Sequence, residues 1–241
     1  MSISQPNNAI RLTKRLAAAA SAVREGSRVA DVGCDHGKLA AELILSGRCR
    51  RVYAIDISAP SLEKAAALFL SAGISSRAVA MLSDGLDSLT PGLVDDVVIG
   101  GLGNDETARI ISRAAWLRDE SKQLVLIPSS RHDRLRRFLY ENGYEIISER
   151  AVAENGRAYA VMTVRYNGFC LKLSALQAAL GKIPGSGGDE EAYVRALHRR
   201  CERLISQMEN KKDGRRSAAL DEALKIADYL NSHEGKERVL W

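Results

Sequence analysis

The run Val29-Ala30-Asp31-Val32-Gly33-Cys34-Asp35-His36-Gly37-Lys38-Leu39 joins a short apolar stretch to a glycine bend and then to a helical pattern, and it sets carboxylates at and inside the bend. Strand, tight turn and helix in that order make the first βα unit of a Rossmann-like sheet. A dinucleotide at such a bend wants glycines and bare N–H groups, because its pyrophosphate is anionic. Asp35 would repel it. The chemistry suits a cofactor with no phosphate and a positive charge, a description that S-adenosylmethionine (SAM) meets.

Further acids recur where such a cofactor needs them. In open α/β sheets the ligand lies beyond the carboxyl ends of the strands. Asp56 ends the second apolar run, 25 residues after Asp31, where a carboxylate accepts both ribose hydroxyls. Asp84 ends the third and suits the adenine amino group, with Gly85 allowing close approach of the ring. Gly33 lets backbone approach the methionine portion, and Asp31 or Asp35 can hold its ammonium or order water around it. Any one of these acids alone reads equally as a helix cap. The candidate cofactor set is Asp31, Gly33, Cys34, Asp35, Asp56, Ile57, Asp84, Gly85, Gly100 and Gly101. An NAD-dependent oxidoreductase shares the ribose acid but requires a G-x-G-x-x-G bend that this chain does not match.

In-line methyl transfer chiefly needs alignment of nucleophile, methyl and leaving sulfur. A base is required only where the nucleophile sheds a proton, and Asp35 and His36 are the candidates for that role. The loop after the fourth strand normally touches the acceptor. Enzymes that methylate exocyclic base amines carry Asn/Asp-Pro-Pro-aromatic there, whereas this chain has Gly100-Gly101-Leu102-Gly103-Asn104. That argues against exocyclic amine chemistry and for a narrow, flat surface with backbone close to a base edge.

The elements that must position these groups follow from periodicity. A leading helix is expected over 9–23, then strands over 28–32, 51–55, 78–82, 96–99 and 123–127, alternating with helices. Ser58 is placed to cap the helix after the second strand. After a helix over 131–142, two β-prone runs flank Glu154-Asn155-Gly156-Arg157, and Asn-Gly there signals a hairpin. Helices are then expected over 171–180, 189–210 and 217–232, the last two as an antiparallel amphipathic pair. The pattern predicts an α/β doubly wound sheet of about seven strands with a C-terminal helical hairpin. The expected division is a Rossmann-like domain over 1–168 and the hairpin over 169–241.

Composition bounds the rest. The chain has 241 residues, 46% hydrophobic, and a net charge of +5. No apolar run approaches a membrane span and Met1 to Asn8 lack a signal-peptide layout, so a cytoplasmic protein is expected. Four scattered cysteines and four scattered histidines suggest free thiols and no metal site. Basic clusters stand at Arg131, Arg134, Arg136 and Arg137, at Arg195, Arg199, Arg200 and Arg203, and at Lys211, Lys212, Arg215 and Arg216. Each is either a solvated helix face or a phosphate contact.

Several stretches together carry a family resemblance: Leu12-Thr13-Lys14-Arg15-Leu16, the Asp31-to-His36 string, Gly101-Leu102-Gly103, Ile127-Pro128, Leu135-Arg136-Arg137-Phe138-Leu139, Glu149 and Gly156-Arg157-Ala158-Tyr159. In this order they resemble the bacterial tRNA (adenine(22)-N1)-methyltransferase family, TrmK, over residues 10–166. The resemblance implies a SAM-dependent enzyme with tRNA as partner, methylating N1 of an adenine in the D-arm region, with Asp35 and His36 at the active site. N1 methylation makes a cation unless the N6 amino group loses a proton, and Asp35 is the candidate acceptor with His36 orienting it.

Departures fall on the acceptor side. Gly37-Lys38 replaces the family's Ala-Tyr, Gly101-Leu102-Gly103-Asn104 its Gly-Met-Gly-Gly, and Ile127-Pro128-Ser129 its Gln-Pro-Asn. Lys38, Leu102, Gly103, Asn104, Pro128, Arg131, Arg134, Arg199 and Arg200 are the candidate substrate contacts. Aromatics are only 5% of the chain, which favours recognition of a folded RNA by shape over stacking on single-stranded bases. The rival expectations are a different methyl acceptor or a SAM- and RNA-binding module without turnover. A monomer or weak homodimer is expected.

Overall fold

The computed structural model describes residues 10–209 and 218–233. The basic cluster at Lys211, Lys212, Arg215 and Arg216 and the segment Met1 to Asn8 lie outside the described residues. Seven strands are ordered β3-β2-β1-β4-β5-β7-β6 in a sheet: β1 Ser27–Val32, β2 Cys49–Asp56, β3 Ala78–Leu82, β4 Asp96–Gly100, β5 Gln123–Ile127, β6 Tyr144–Glu154 and β7 Arg157–Tyr166. The expected doubly wound sheet with a terminal hairpin is present. The chain clusters into two compact units, Met1–Val98 and Ile99–Trp241. The boundary expected near residue 168 therefore falls inside the second unit.

In the first unit, β1, β2 and β3 pair in parallel, Val29 beside Val52 and Val52 beside Ala78. Their near-continuous apolar character is what a strand covered on both faces requires. Three helices accompany them, α1 Lys14–Ala22, α2 Lys38–Leu45 and α3 Ala59–Ser71. Helix α1 begins later than periodicity predicts because Thr13 is extended and its side chain caps Leu16 N–H. Ser58 caps α3 as expected, accepting from Ser61 N–H at 3.3 Å. Leu39, Leu43, Ile44, Ile55, Ala65 and Phe69 are buried in the core. Asp96, fully buried at the start of β4, accepts from Arg24 Nε and backbone N–H at 2.6 and 2.8 Å. That contact ties the end of α1 to the sheet.

Gly37 explains one departure from the family pattern. Its φ is +67°, and a Cβ there would stand 2.8 Å from both Ala65 Cβ and the Phe69 ring. An alanine would be strained by its backbone and would collide with α3. The close approach of α2 to α3 thus demands glycine in this chain.

The second unit holds α4 Asn104–Arg113, α5 His132–Glu141, α6 Ala175–Leu180, α7 Glu190–Glu209 and α8 Ala218–Ser232. β7 pairs antiparallel with β5 and with β6. The β6–β7 turn places Asn155 at φ 50° and Gly156 at φ 71°, as a two-residue type I′ hairpin demands. Helix α6 starts at Ala175 and not near 171, because Ser174 and Gln177 form a capping box. Leu197 and Cys201 of α7 pack with Ala223, Ile226 and Leu230 of α8 in one apolar cluster that also takes in Leu180. This is the expected pairing of two amphipathic helices.

Candidate active site

In the first unit the carboxyl ends of β1, β2 and β3 gather the predicted acids. Gly33 (φ 74°) and Cys34 turn away from β1 with both N–H groups on the Ile55 carbonyl, at 2.9 and 3.1 Å. Asp56 stands at the next strand end. Its carboxylate accepts from Asp35 N–H at 3.1 Å through Oδ2 and from Ser58 N–H at 2.9 Å through Oδ1. One side chain therefore shapes the bend that it faces.

Asp31 is 3% exposed, and its Oδ2 has no hydrogen-bond partner. Burial pushes its pKa up to about 7, opposed by the Ala40 N–H and reinforced by the charge of Asp56. A buried carboxyl oxygen without a partner is costly, which makes Asp31 a candidate to face a bound donor or cation. Burial likewise pushes the Cys34 thiol well up, so Cys34 lines the bend as an apolar side chain and not as a nucleophile.

Asp35 adopts φ 50°, the left-handed conformation that Asp and Asn tolerate best among side-chain-bearing residues. The bend thereby carries its carboxylate into solvent. His36 Nε2 lies 3.4 Å from Asp35 Oδ1 and 3.2 Å from Lys64 Nζ. Lys64 had no local signal in the sequence, since only the packing of α3 brings it to His36. Asp84 is exposed in the turn after β3, and Gly85 beside it is buried with φ 60°. Ile57 is 74% exposed and Leu82 60%, and Leu82 stands opposite Asp56 in register. Two bare apolar side chains beside Asp56 could take a flat ring, and Leu82 is a candidate that sequence reasoning missed. Lys38 is exposed at the first position of α2.

In the second unit two loops are tied together. Gly101 N–H donates to the Ile127 carbonyl at 3.2 Å and Ser129 N–H to the Leu102 carbonyl at 2.8 Å. Gly100, Gly101, Leu102, Gly103 and Pro128 thus belong to one patch of backbone. Asn104 opens α4, buried, with its Nδ2 on Asp105 Oδ1 at 2.7 Å. Arg131 (φ 52°) and Arg200 both bind the Asp133 carboxylate, at 3.1 and 3.0 Å. Burial raises Asp133, but the Arg200 and Arg131 guanidiniums outweigh it and hold the carboxyl below its ordinary value. Arg134 and Arg199 are exposed.

One member of the first basic cluster is corrected. Arg136 is not a phosphate contact, because its side chain is 1% exposed and pairs with the fully buried Glu149 at 2.9 Å. Its Nη1 donates to the carbonyls of Ala178 and Ala179, each at 2.8 Å. Arg137 binds the Leu173 carbonyl and Glu222. Spacing on α5 could not tell these roles apart, since the partners lie 13 to 85 positions away.

Among the described residues no group of three or more His, Cys, Asp or Glu is placed to hold a metal ion. No described helix is long and apolar enough to cross a membrane.

Comparison with known proteins bears on this geometry. A family model described as a methyltransferase domain matches residues 12–162. A tRNA (adenine(22)-N(1))-methyltransferase of Bacillus subtilis is 27% identical over 155 residues, 64% of this chain and 65% of that one. A relative from Mycoplasma pneumoniae is 35% identical over 134 residues, 56% of this chain and 61% of that one. The matched stretch thus spans somewhat less than two thirds of either relative. The solved structure of Sp1610 from Streptococcus pneumoniae, in complex with S-adenosyl-L-methionine, superposes with a TM-score of 0.75. It is 25% identical, and the match covers 90% of this chain and all of that one. The motif resemblance is met in sequence and in fold, and the chain belongs to the methyltransferase-domain family.

Proposed function

We propose that this chain is a SAM-dependent methyltransferase acting on N1 of an adenine in tRNA, at position 22. The observation that carries the reading is the buried, unpartnered Asp31 oxygen behind a bend that bears Asp35. Asp56 and Asp84 complete it at the next two strand ends. These residues fit the cofactor: Asp31 would hold its ammonium, Asp56 would accept from the ribose hydroxyls and Asp84 from the adenine amino group, and Ile57 and Leu82 would flank the ring. SAM supplies an electrophilic methyl group and leaves as a neutral thioether.

The chain's own contribution is alignment and the acceptance of one proton. Adenine N1 attacks with its in-plane lone pair, and the methylated base is a cation unless its N6 amino group sheds a proton. Asp35, exposed and beside His36, is the group to take it. The backbone of Gly100 to Gly103 and Pro128 forms the acceptor-side surface. Arg131, Arg134, Arg199 and Arg200, with Lys38, serve RNA phosphates, which position a substrate without reading its sequence. The relatives' activity on tRNA supports this substrate. A tRNA substrate is consistent with a cytoplasmic enzyme.

The test incubates the protein with methyl-labelled SAM and unmodified bacterial tRNA and maps the label. One methyl per tRNA at N1 of adenine 22 is expected. Label confined to another nucleotide, or none in RNA, refutes the assignment.

The state of Asp31 adds a pH dependence. Below about pH 7 the carboxyl is largely protonated and neutral, so a cationic ligand must first expel its proton. SAM affinity should therefore rise with pH, by up to about tenfold per unit below pH 7. It should level off between about pH 7 and 8, where an α-amino group begins to lose its own proton. Calorimetry should detect close to one proton released on binding at pH 6. The Asp31→Asn protein should bind more weakly and with a flat profile, and a wild-type affinity constant from pH 5.5 to 7.5 would contradict the role.

A further inference from the structure

We infer that His132 is a positioning residue that fixes the acceptor-side loop to helix α7; as a claim about catalysis it rests on the proposed function, and as a claim about the loop it does not. His132, the first residue of α5, is bonded at both ring nitrogens. Nε2 lies 3.2 Å from the Pro128 carbonyl and Nδ1 lies 3.0 Å from the Tyr193 hydroxyl of α7. A carbonyl oxygen can only accept, so Nε2 carries the hydrogen. Burial, aided by the positive charge of Arg136, pushes the ring's pKa down to about 4, so the imidazole is neutral at working pH. Nδ1 then presents a lone pair, and Tyr193 donates to it.

The direction of each remaining bond follows. The Tyr193 oxygen accepts from Arg136 Nη2 at 3.0 Å, and Arg136 is held by Glu149 of β6. The other acceptor open to the Tyr193 hydroxyl, the Ala179 carbonyl, is 3.5 Å away. The His132 and Tyr193 rings also stack, 5.5 Å between centroids and 22° apart. On the far side, Pro128 leads into Ser129, whose N–H holds the Leu102 carbonyl. One polarised chain therefore runs from Glu149 through Arg136, Tyr193 and His132 to the loop that the acceptor base must meet.

The partly buried imidazole does two jobs that a stacked hydrocarbon ring cannot. It donates to Pro128 and it accepts from Tyr193. An amide can do both, since its oxygen accepts while its nitrogen donates. His132→Phe retains the stack and loses both bonds, whereas His132→Gln retains the bonding capacity.

The experiment compares these two with Tyr193→Phe, which removes only the hydroxyl. Amide hydrogen exchange at Ser129 reads the loop without reference to any substrate. We expect exchange to be about tenfold faster in His132→Phe and near wild type in His132→Gln. With tRNA, His132→Phe should lower kcat by about 10- to 30-fold, with SAM Kd and tRNA KM within about threefold, because misplacement of an acceptor is paid in the chemical step. His132→Gln should recover most of kcat, and Tyr193→Phe should fall between the two. Unchanged Ser129 exchange in His132→Phe overturns the inference. So does a Gln variant no better than the Phe variant at equal loss of melting temperature, which marks a purely structural role. If His132→Phe does not fold, unchanged kcat and unchanged Ser129 exchange in Tyr193→Phe overturn it equally. A wild-type protein that leaves tRNA unmethylated defeats the functional proposal alone, while the exchange comparison still decides the role of His132.

Discussion

Asp35→Asn should lower kcat for tRNA methylation by about 10²-fold while SAM affinity stays within about threefold. Asparagine is the least disruptive probe here for two reasons. The left-handed backbone at φ 50° is one that asparagine adopts readily. The bond to Asp56 is made by the Asp35 backbone N–H and survives the exchange of side chains. What disappears is the capacity to take a proton, since an amide is no base at neutral pH. Single-turnover methylation with saturating SAM, beside calorimetry of SAM binding, separates the two effects. A wild-type rate in Asp35→Asn with SAM binding unchanged would remove Asp35 from the chemistry.

The second large effect is on stability. Arg136→Met should destabilise the protein by about 3–5 kcal/mol, because the Glu149 carboxylate is left buried without its counter-charge. The Ala178 and Ala179 carbonyls also lose their common donor, which adds to the loss. For a chain of this size the melting temperature should fall on the order of 10 °C. Arg136→Met combined with Glu149→Leu should regain part of that loss, since apolar packing carries no desolvation penalty for an unpaired ion. Thermal and urea melts of the single and double variants check both statements. A single variant within 1 kcal/mol of wild type, by the same scale, would mean that water or relaxation satisfies Glu149.

Much of the first unit is legible in the amino-acid sequence. Apolar runs of strand length, each closed by an acid, place Asp31, Asp56 and Asp84 at neighbouring strand ends once the parallel order is assumed. The Ser58 cap, and in the second unit the Asn155-Gly156 turn, were legible because backbone preference and capping act over two to four residues. Leu82 and Lys64 were not. Leu82 reads as an ordinary strand residue until register sets it opposite Asp56. Lys64 reads as a solvated helix residue until α3 packs beside the bend.

The second unit was harder to read because its determinants are long-range. Arg131, Arg134, Arg136 and Arg137 look alike on a helical pattern, yet Arg131 shares Asp133 with Arg200 from α7 while Arg136 is sealed against Glu149. His132 has no motif at all, and its two partners are joined only when α5, α7 and the Pro128 loop assemble.

By itself the amino-acid order determined which segments become strands and helices, where they stop and which acids stand at their ends, because those outcomes depend on neighbours along the chain. Only the tertiary structure decided which charges are buried and paired, which apolar side chains stay bare beside Asp56, and how α7 reaches the Pro128 loop through His132. Burial and pairing depend on groups brought together from tens of residues away, and their energies have no counterpart in local spacing.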